Sequence, residues 1–220
     1  MALILNIETA VEGASVCIAD GQKLIASDFH AARDSASWLH VAIQKIFEDR
    51  SVHPQQLAAV AVSAGPGSYT GLRVGMSAAK GLCYALNVPL ITLNTLTIMA
   101  AATIEKEFDL FVPMIDARRM EVFAAVYDAE LNERTPASNI VLDEKSFAKA
   151  IEESRVLFVG NGSEKFKNLV QAPRATFHPL YPTAENMIPL SHKKYIAKDF
   201  SDLAYTEPFY GKAFHSTQPS

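Results

Sequence analysis

A chain of 220 residues with 49% hydrophobic content and a mean hydropathy of +0.08 has material for one large or two small globular cores that need no staples. Its formal net charge of -4 excludes autonomous, high-affinity binding of nucleic acid, because Lys and Arg supply most of that affinity by neutralising phosphates. Its two cysteines, Cys17 and Cys83, lie in apolar runs and read as buried core residues; with no apolar run of about 18 residues and no basic, cleavable leader, the expected location is the cytoplasm, with no membrane contact.

The pattern opens as a three-stranded meander. Residues 3–7 make an apolar strand that runs into Glu8 and Thr9, residues 14–19 a second, and Asp20-Gly21 a hairpin turn into a third over 23–29. Asp34 or Ser35 caps the next helix, whose Leu39, Ile43, Ile46 and Phe47 share one face, and His53-Pro54 ends it. A buried strand over 57–62 leads into the stretch that organises the chain, the Gly-rich turn through Gly65, Gly67 and Ser68. Such a turn brings backbone close to a ligand or another chain and opens a helix at its partly positive end.

That helix runs to Leu86. Gly71, Gly75 and Ala78 or Ala79 recur at helical spacing and leave one face nearly bare, although glycine inside a helix costs about 0.5–1 kcal/mol relative to alanine. Two readings are open: a helix packed tightly on its own sheet, or a face against another subunit. A strand over 90–93 and a helix over 96–107 close this half, giving the rhythm of an α/β layer with a mixed sheet.

A second copy begins near Phe111. The strand ending in Asp116 falls in register with the one ending in Glu8, the following strands close on Asp128 and Asp20, and Val156 to Val159 with Gly160-Asn161-Gly162-Ser163 echoes the earlier strand and Gly turn. Short helices are expected over 143–152 and 163–170. Pro173, Pro179, Pro182 and Pro189 punctuate a looser region, Thr183 caps one more helix near Tyr195, and an aromatic, polar tail from Phe200 packs on its own domain. The expected lobes are residues 1–107, carrying the Gly turn and the partner-binding helices, and 108–220, with the tail packing back on the first.

The chemistry is narrowed by what is missing. Neither Gly65 nor Gly67 is followed at P-loop spacing by Lys, and the strand that would carry a ribose-binding acid ends in Asn94. No two histidines stand three or four apart, where one helix face would aim both at a metal. No acid or His can be assigned to Ser63 or Ser68 as a nucleophile's partner. The acids ending the two first strands are more informative: Glu8 and Asp116, with Thr9, Gly65, Gly67 and Ser68, stand where a nucleotide or phosphate would face them, or else simply cap turns. Arg118 and Arg119 clamp an anion or lie on a tRNA or protein interface.

Together, residues 4–9, the run from Gly65 to Gly75, residues 79–82 and Ile115-Asp116-Ala117-Arg118-Arg119-Met120-Glu121-Val122 resemble the bacterial TsaB (YeaZ) family. The resemblance implies an actin-like (ASKHA) α/β fold of two related lobes, and a role in forming threonylcarbamoyladenosine (t6A) beside the tRNA anticodon. It implies a non-catalytic scaffold subunit that supports a larger catalytic paralogue (TsaD), with an ATPase subunit (TsaE) joining. ATP and metal are then expected on the partners and none is required by this chain alone; tRNA is reached only through the complex, and the chain alone forms a homodimer. The partner surface is placed on Gly71, Arg73, Val74, Gly75, Ala78, Ala79 and Leu82, with Leu39 and Ile43 beside it. Glu8 stands where the family more often has Asp, and Phe209-Tyr210-Gly211-Lys212 differs from the usual aromatic-Leu-Arg ending. The alternative functions are an independent actin-like ATPase or small-molecule kinase and, further off, a metal-dependent glycopeptidase.

Overall fold

The computed structural model describes residues 2–31, 35–50, 52–104 and 107–211, and in it the chain builds two five-stranded sheets flanked by helices. The first half runs β1 (Leu3–Glu8), β2 (Ala14–Asp20), β3 (Lys23–His30), α1 (Ser35–Arg50), β4 (Leu57–Ser63), α2 (Tyr69–Leu86), β5 (Leu90–Leu93) and α3 (Thr95–Ala101). The meander pairs antiparallel, whereas β4 and β5 join parallel to β1 in the order β3-β2-β1-β4-β5. Parallel neighbours need long crossovers, and α1 and α2 supply them.

The second half repeats the plan: β6 (Leu110–Asp116), β7 (Glu121–Asp128), β8 (Glu133–Val141), α4 (Ala148–Glu153), β9 (Val156–Val159), α5 (Ser163–Lys167) and β10 (Ala175–His178), in the order β10-β9-β6-β7-β8. Strand for strand this is the first sheet again, so the duplication read from the acids and Gly turns is present in the topology. A 3-10 turn, Ala184–Met187, and α6 (Ile188–Ala197) then return to the first sheet.

Each sheet is buried on both faces. Leu5, Ile7, Val16 and Ile18 meet Leu39, Ile43, Met76 and Ala79 of α1 and α2 on one side of the first sheet. On its other side Ile4, Ala59, Ala61, Ile91 and Leu93 meet Ile98 of α3, Met187, and Leu190 and Tyr195 of α6. Each buried Leu or Ile adds about 1.5–3 kcal/mol, which holds the C-terminal helix on a sheet laid down by the N-terminal half.

Several elements differ from the sequence pattern. The helix expected over 96–107 stops at Ala101, where the Thr103 hydroxyl donates to the Met99 and Ala100 carbonyls; residues 105–106 of that expectation lie outside the described residues, as do Asp34 and the side chain of Ser35, the two expected caps of α1. The helix expected over 143–152 starts at Ala148, because Asp143 Oδ1 accepts from the Lys145 N–H and the Ser146 hydroxyl in a turn, and Phe147 takes a left-handed φ of 59°. Residues 163–170 are helical only to Lys167. Strands β8 and β10 carry no alternation to announce them: β8 is a mostly exposed edge holding Pro136, and β10 is four residues in the proline-punctuated region.

Candidate functional site

The C-terminal ends of β1 and β6 face a cleft of about 520 Å³ between the two lobes. The first lobe contributes Thr9 to Gly13 from the β1–β2 turn and Gly67 to Gly71 from the start of α2; the second contributes Ile115 to Arg118, Phe123 and Asn161. Of the sequence-derived site residues the fold therefore gathers Thr9, Gly67, Ser68, Asp116 and Arg118 on one cleft, and leaves Glu8, Gly65 and Arg119 off its wall.

The expected phosphate-facing group divides further on inspection of its bonds. Glu8 is 2% exposed and turned inward: its Oε1 accepts from the Ala10 N–H at 2.6 Å, and its Oε2 has no partner. Burial pushes its carboxyl up to about 7, against the pull of the Ala10 N–H and the Ser63 hydroxyl. A carboxyl so enclosed is a poor metal or water ligand, which corrects the reading of Glu8 as nucleotide-facing. Gly65 is covered by the Phe209 carbonyl, Gly67 by the Ala10 carbonyl and Gly71 by the Thr9 carbonyl; a Cβ at any of the three would collide. Their smallness admits the chain's own backbone rather than a phosphate.

Four N–H donors beside the cleft are also spent. Ser68 N–H donates to the Ala10 carbonyl, Gly71 N–H to Ser68 Oγ, Thr9 N–H to Ser63 Oγ and Ala10 N–H to Glu8. A phosphate cradle needs such groups pointing at the ligand. These four groups therefore offer a phosphate no such cradle.

Across the cleft, Asp116 is exposed and anchored. Its Oδ1 takes Lys165 Nζ at 2.6 Å and the Arg118 N–H at 2.6 Å, while its own N–H donates to Asn161 Oδ1. Lys165 Nζ also donates to the Arg119 carbonyl, clamping a turn in which Arg118 and Arg119 both adopt positive φ, 69° and 51°. Lys165 escaped the sequence reading because its role depends on α5 lying over the β6–β7 turn; Asn161 was signalled only as part of the second Gly turn.

On the outer side of the first lobe, α2 begins at the Ser68 cap and ends at Asn87, which takes the left-handed cap conformation. Gly71, Gly75, Ala78 and Ala79 are buried, Gly75 against the Thr9 hydroxyl, and Leu39 and Ile43 belong to the core beneath. Of these, Gly71, Gly75, Ala79, Leu39 and Ile43 are corrected from interface to internal residues, since the bare face of the helix is the one that receives the β1–β2 turn and the sheet, whereas Ala78, 6% exposed, still reaches the surface between α1 and α2. Arg73, Val74 and Leu82 stay at the surface and line a shallow apolar groove between α1 and α2 with Ala36, Ser77 and Gly81. Gly81 has nothing within 4 Å of its would-be Cβ.

Two duplicated lobes, each a β-β-β-α-β-α-β layer, closing on a cleft at the ends of their first strands define an actin-like protein. A family model described as TsaD, tRNA N6-adenosine threonylcarbamoyltransferase, matches residues 29–207. The chain is 31% identical over 134 residues (59% of this chain, 58% of the relative) to the tRNA threonylcarbamoyladenosine biosynthesis protein TsaB of Bacillus subtilis. To the protein of the same name in Haemophilus influenzae it is 27% identical, over 94% of this chain and 92% of that one. A crystal structure from Pseudomonas aeruginosa, described as an uncharacterized protein with similarity to peptidase YEAZ, superposes with a TM-score of 0.86 at 22% identity, covering 96% of this chain and 100% of the other. The chain belongs to the TsaD family of that model, in its TsaB/YeaZ branch. Among the described residues no three of His, Cys, Asp and Glu gather as a metal site, and no helix is long and apolar enough to cross a membrane.

Proposed function

We propose that this chain is a non-catalytic scaffold in the synthesis of t6A in tRNA, holding a TsaD-type catalytic subunit through the groove between α1 and α2. The role in t6A synthesis follows the names of its relatives. The observation that carries the scaffold reading is the contrast between the two surfaces: Gly67, Gly71, the Glu8 carboxyl and four N–H donors beside the cleft are engaged by the chain's own turns, whereas the groove beside Gly81 leaves apolar side chains and helix backbone open to a second polypeptide. ATP and metal then belong to the partner subunits, TsaD-type and TsaE-type, and tRNA meets the assembly rather than this chain. The same groove on two copies supports a homodimer when the chain is alone, and an intracellular, cytoplasmic setting goes with tRNA modification.

The test fills the groove without disturbing the core. Gly81→Leu improves helix propensity and places its Cβ in open space, so the chain stays folded while its affinity for a TsaD-type subunit, measured by titration calorimetry, falls at least about tenfold. Undiminished pairing would move the interface elsewhere. ATP hydrolysis by the purified chain without partners would instead establish the independent ATPase.

A further inference from the structure

The last described residues do more than pack. From α6 the chain runs as a strap along the first lobe: Ser201 N–H donates to the Leu90 carbonyl at 2.8 Å at the edge of β5, its hydroxyl meets that of Thr92, and Lys80 Nζ of α2 donates to the carbonyls of Ala204 and Thr206. Phe209 N–H then donates to the Ala64 carbonyl at 2.7 Å. Two residues later the strap is across the cleft, where Gly211, at a φ of 72°, lies so tightly on the ring of Phe123 in β7 that a Cβ would collide with it. Between these points Tyr210 forms part of the cleft wall. The strap is thus a passage between the lobes at the cleft's own mouth, added to the covalent connections through α3 and through residues 179–183.

One side chain fixes the strap there. Arg73, on the exposed side of α2, donates from Nε to the Tyr210 hydroxyl at 3.1 Å; its guanidinium lies 4.2 Å from the centroid of Tyr69, and the Tyr69 and Tyr210 rings stand 4.9 Å apart. Arg73 also lines the α1–α2 groove. The same guanidinium therefore serves two surfaces, and a carboxylate or carbonyl that takes it from the groove side competes with the tyrosine hydroxyl.

We propose that the Arg73–Tyr210 pair is a latch on the interlobe cleft, and that occupation of the α1–α2 groove releases it. Its second half rests on the reading that the groove receives a partner. The latched strap keeps the lobes closed at Phe123; with Arg73 withdrawn, the segment beyond the Phe209 backbone bond is left with the ring contacts of Tyr210 and Gly211. Coupling of this kind is reciprocal: whatever weakens the latch makes the groove easier to occupy by the same factor. An arginine bonded to one tyrosine and stacked on another at the surface accounts for about a threefold change in such an equilibrium.

The test uses thiol modification. Ile115 is 4% exposed in the cleft wall, and the native Cys17 and Cys83 are buried in the first lobe, so in an Ile115→Cys background the new thiol reports cleft opening and the native pair report global unfolding. Tyr210→Ala is expected to speed modification at position 115 about threefold or more, with Tyr210→Phe, which keeps the ring and loses the hydroxyl, intermediate and the native cysteines unchanged. The reciprocal measurement is affinity for a TsaD-type subunit, expected to rise in Tyr210→Phe by the same factor as its rate at position 115. Equal rates at position 115 in all three chains, or acceleration of the native cysteines in step with it, would overturn the latch. A faster rate at 115 with no change in partner affinity would overturn the coupling, and an undiminished affinity in Gly81→Leu would remove the groove reading while leaving the latch standing.

Discussion

The Thr9 hydroxyl occupies the space beside Gly75 that a side chain there would need, and from that position donates at 2.8 Å to the Gly71 carbonyl. One threonine thus explains two glycines: it ties the β1–β2 turn to the first turns of α2 at a separation that no Cβ permits. Gly75→Ala is expected to cost about 1–3 kcal/mol, as an overpacked core position does. Thr9→Ala alone is expected to cost about 1 kcal/mol for the lost buried hydrogen bond. In the double variant the removed hydroxyl makes room for the new methyl, so urea unfolding should find it more stable than the sum of the single losses by about 1 kcal/mol. Strict additivity would mean the two residues do not touch.

Gly81 is the control for that argument. It lies in the same helix, two turns on, with open space where its Cβ would go. Gly81→Ala should therefore stabilise the chain by about 0.5–1 kcal/mol through helix propensity alone. The opposite signs at positions 75 and 81, read by thermal or urea unfolding, separate a glycine required by close approach from one that leaves a surface open; a loss at both would refute the distinction.

Much of this architecture was legible in advance, and the reason is periodicity. Alternating apolar runs with acids at 8 and 116, and two Gly turns after two buried strands, fix both sheets because a strand buried on both faces has little freedom of composition. The site was less legible because its chemistry depends on direction. Glu8 ends a strand beside a Gly turn, but nothing local says that its side chain is buried and bonded to the Ala10 N–H rather than aimed into the cleft. The small residues of α2 marked a close contact without saying whose: a helix reads the same against its own β1–β2 turn as against another chain. Lys165, Arg73 and Tyr210 act across 46 to 137 residues of sequence and have no local pattern at all.

The turn after β6 holds two arginines in the left-handed region, where an L side chain costs about 1 kcal/mol or more and glycine nothing. Arg119→Gly should raise stability by about 0.5 kcal/mol, since relief of that strain exceeds the added freedom of the unfolded chain. If the arginines of this exposed turn are kept for their charge, the same variant should support less t6A formation in a reconstituted system despite its greater stability. A destabilised Arg119→Gly would show that Lys165, by clamping the Arg119 carbonyl, already makes the conformation costless.

The buried Glu8 carboxyl makes stability fall as pH rises. Its folded pKa of about 7 lies above the ordinary value of 4.5, with burial as the main cause. Between those two values the folded chain holds a proton that the unfolded chain has lost, so stability is complete below about pH 4.5, declines through the interval and levels off above about 7. The full loss is about 3 kcal/mol from a shift of this size. Glu8→Gln keeps the shape and the acceptor for the Ala10 N–H while removing the titration. The difference in unfolding free energy between the two chains, followed from pH 5 to 8, should therefore move in favour of the glutamine variant as pH rises. A difference that stays flat across that range would show that Glu8 is ionised throughout and that its unpartnered oxygen reaches solvent.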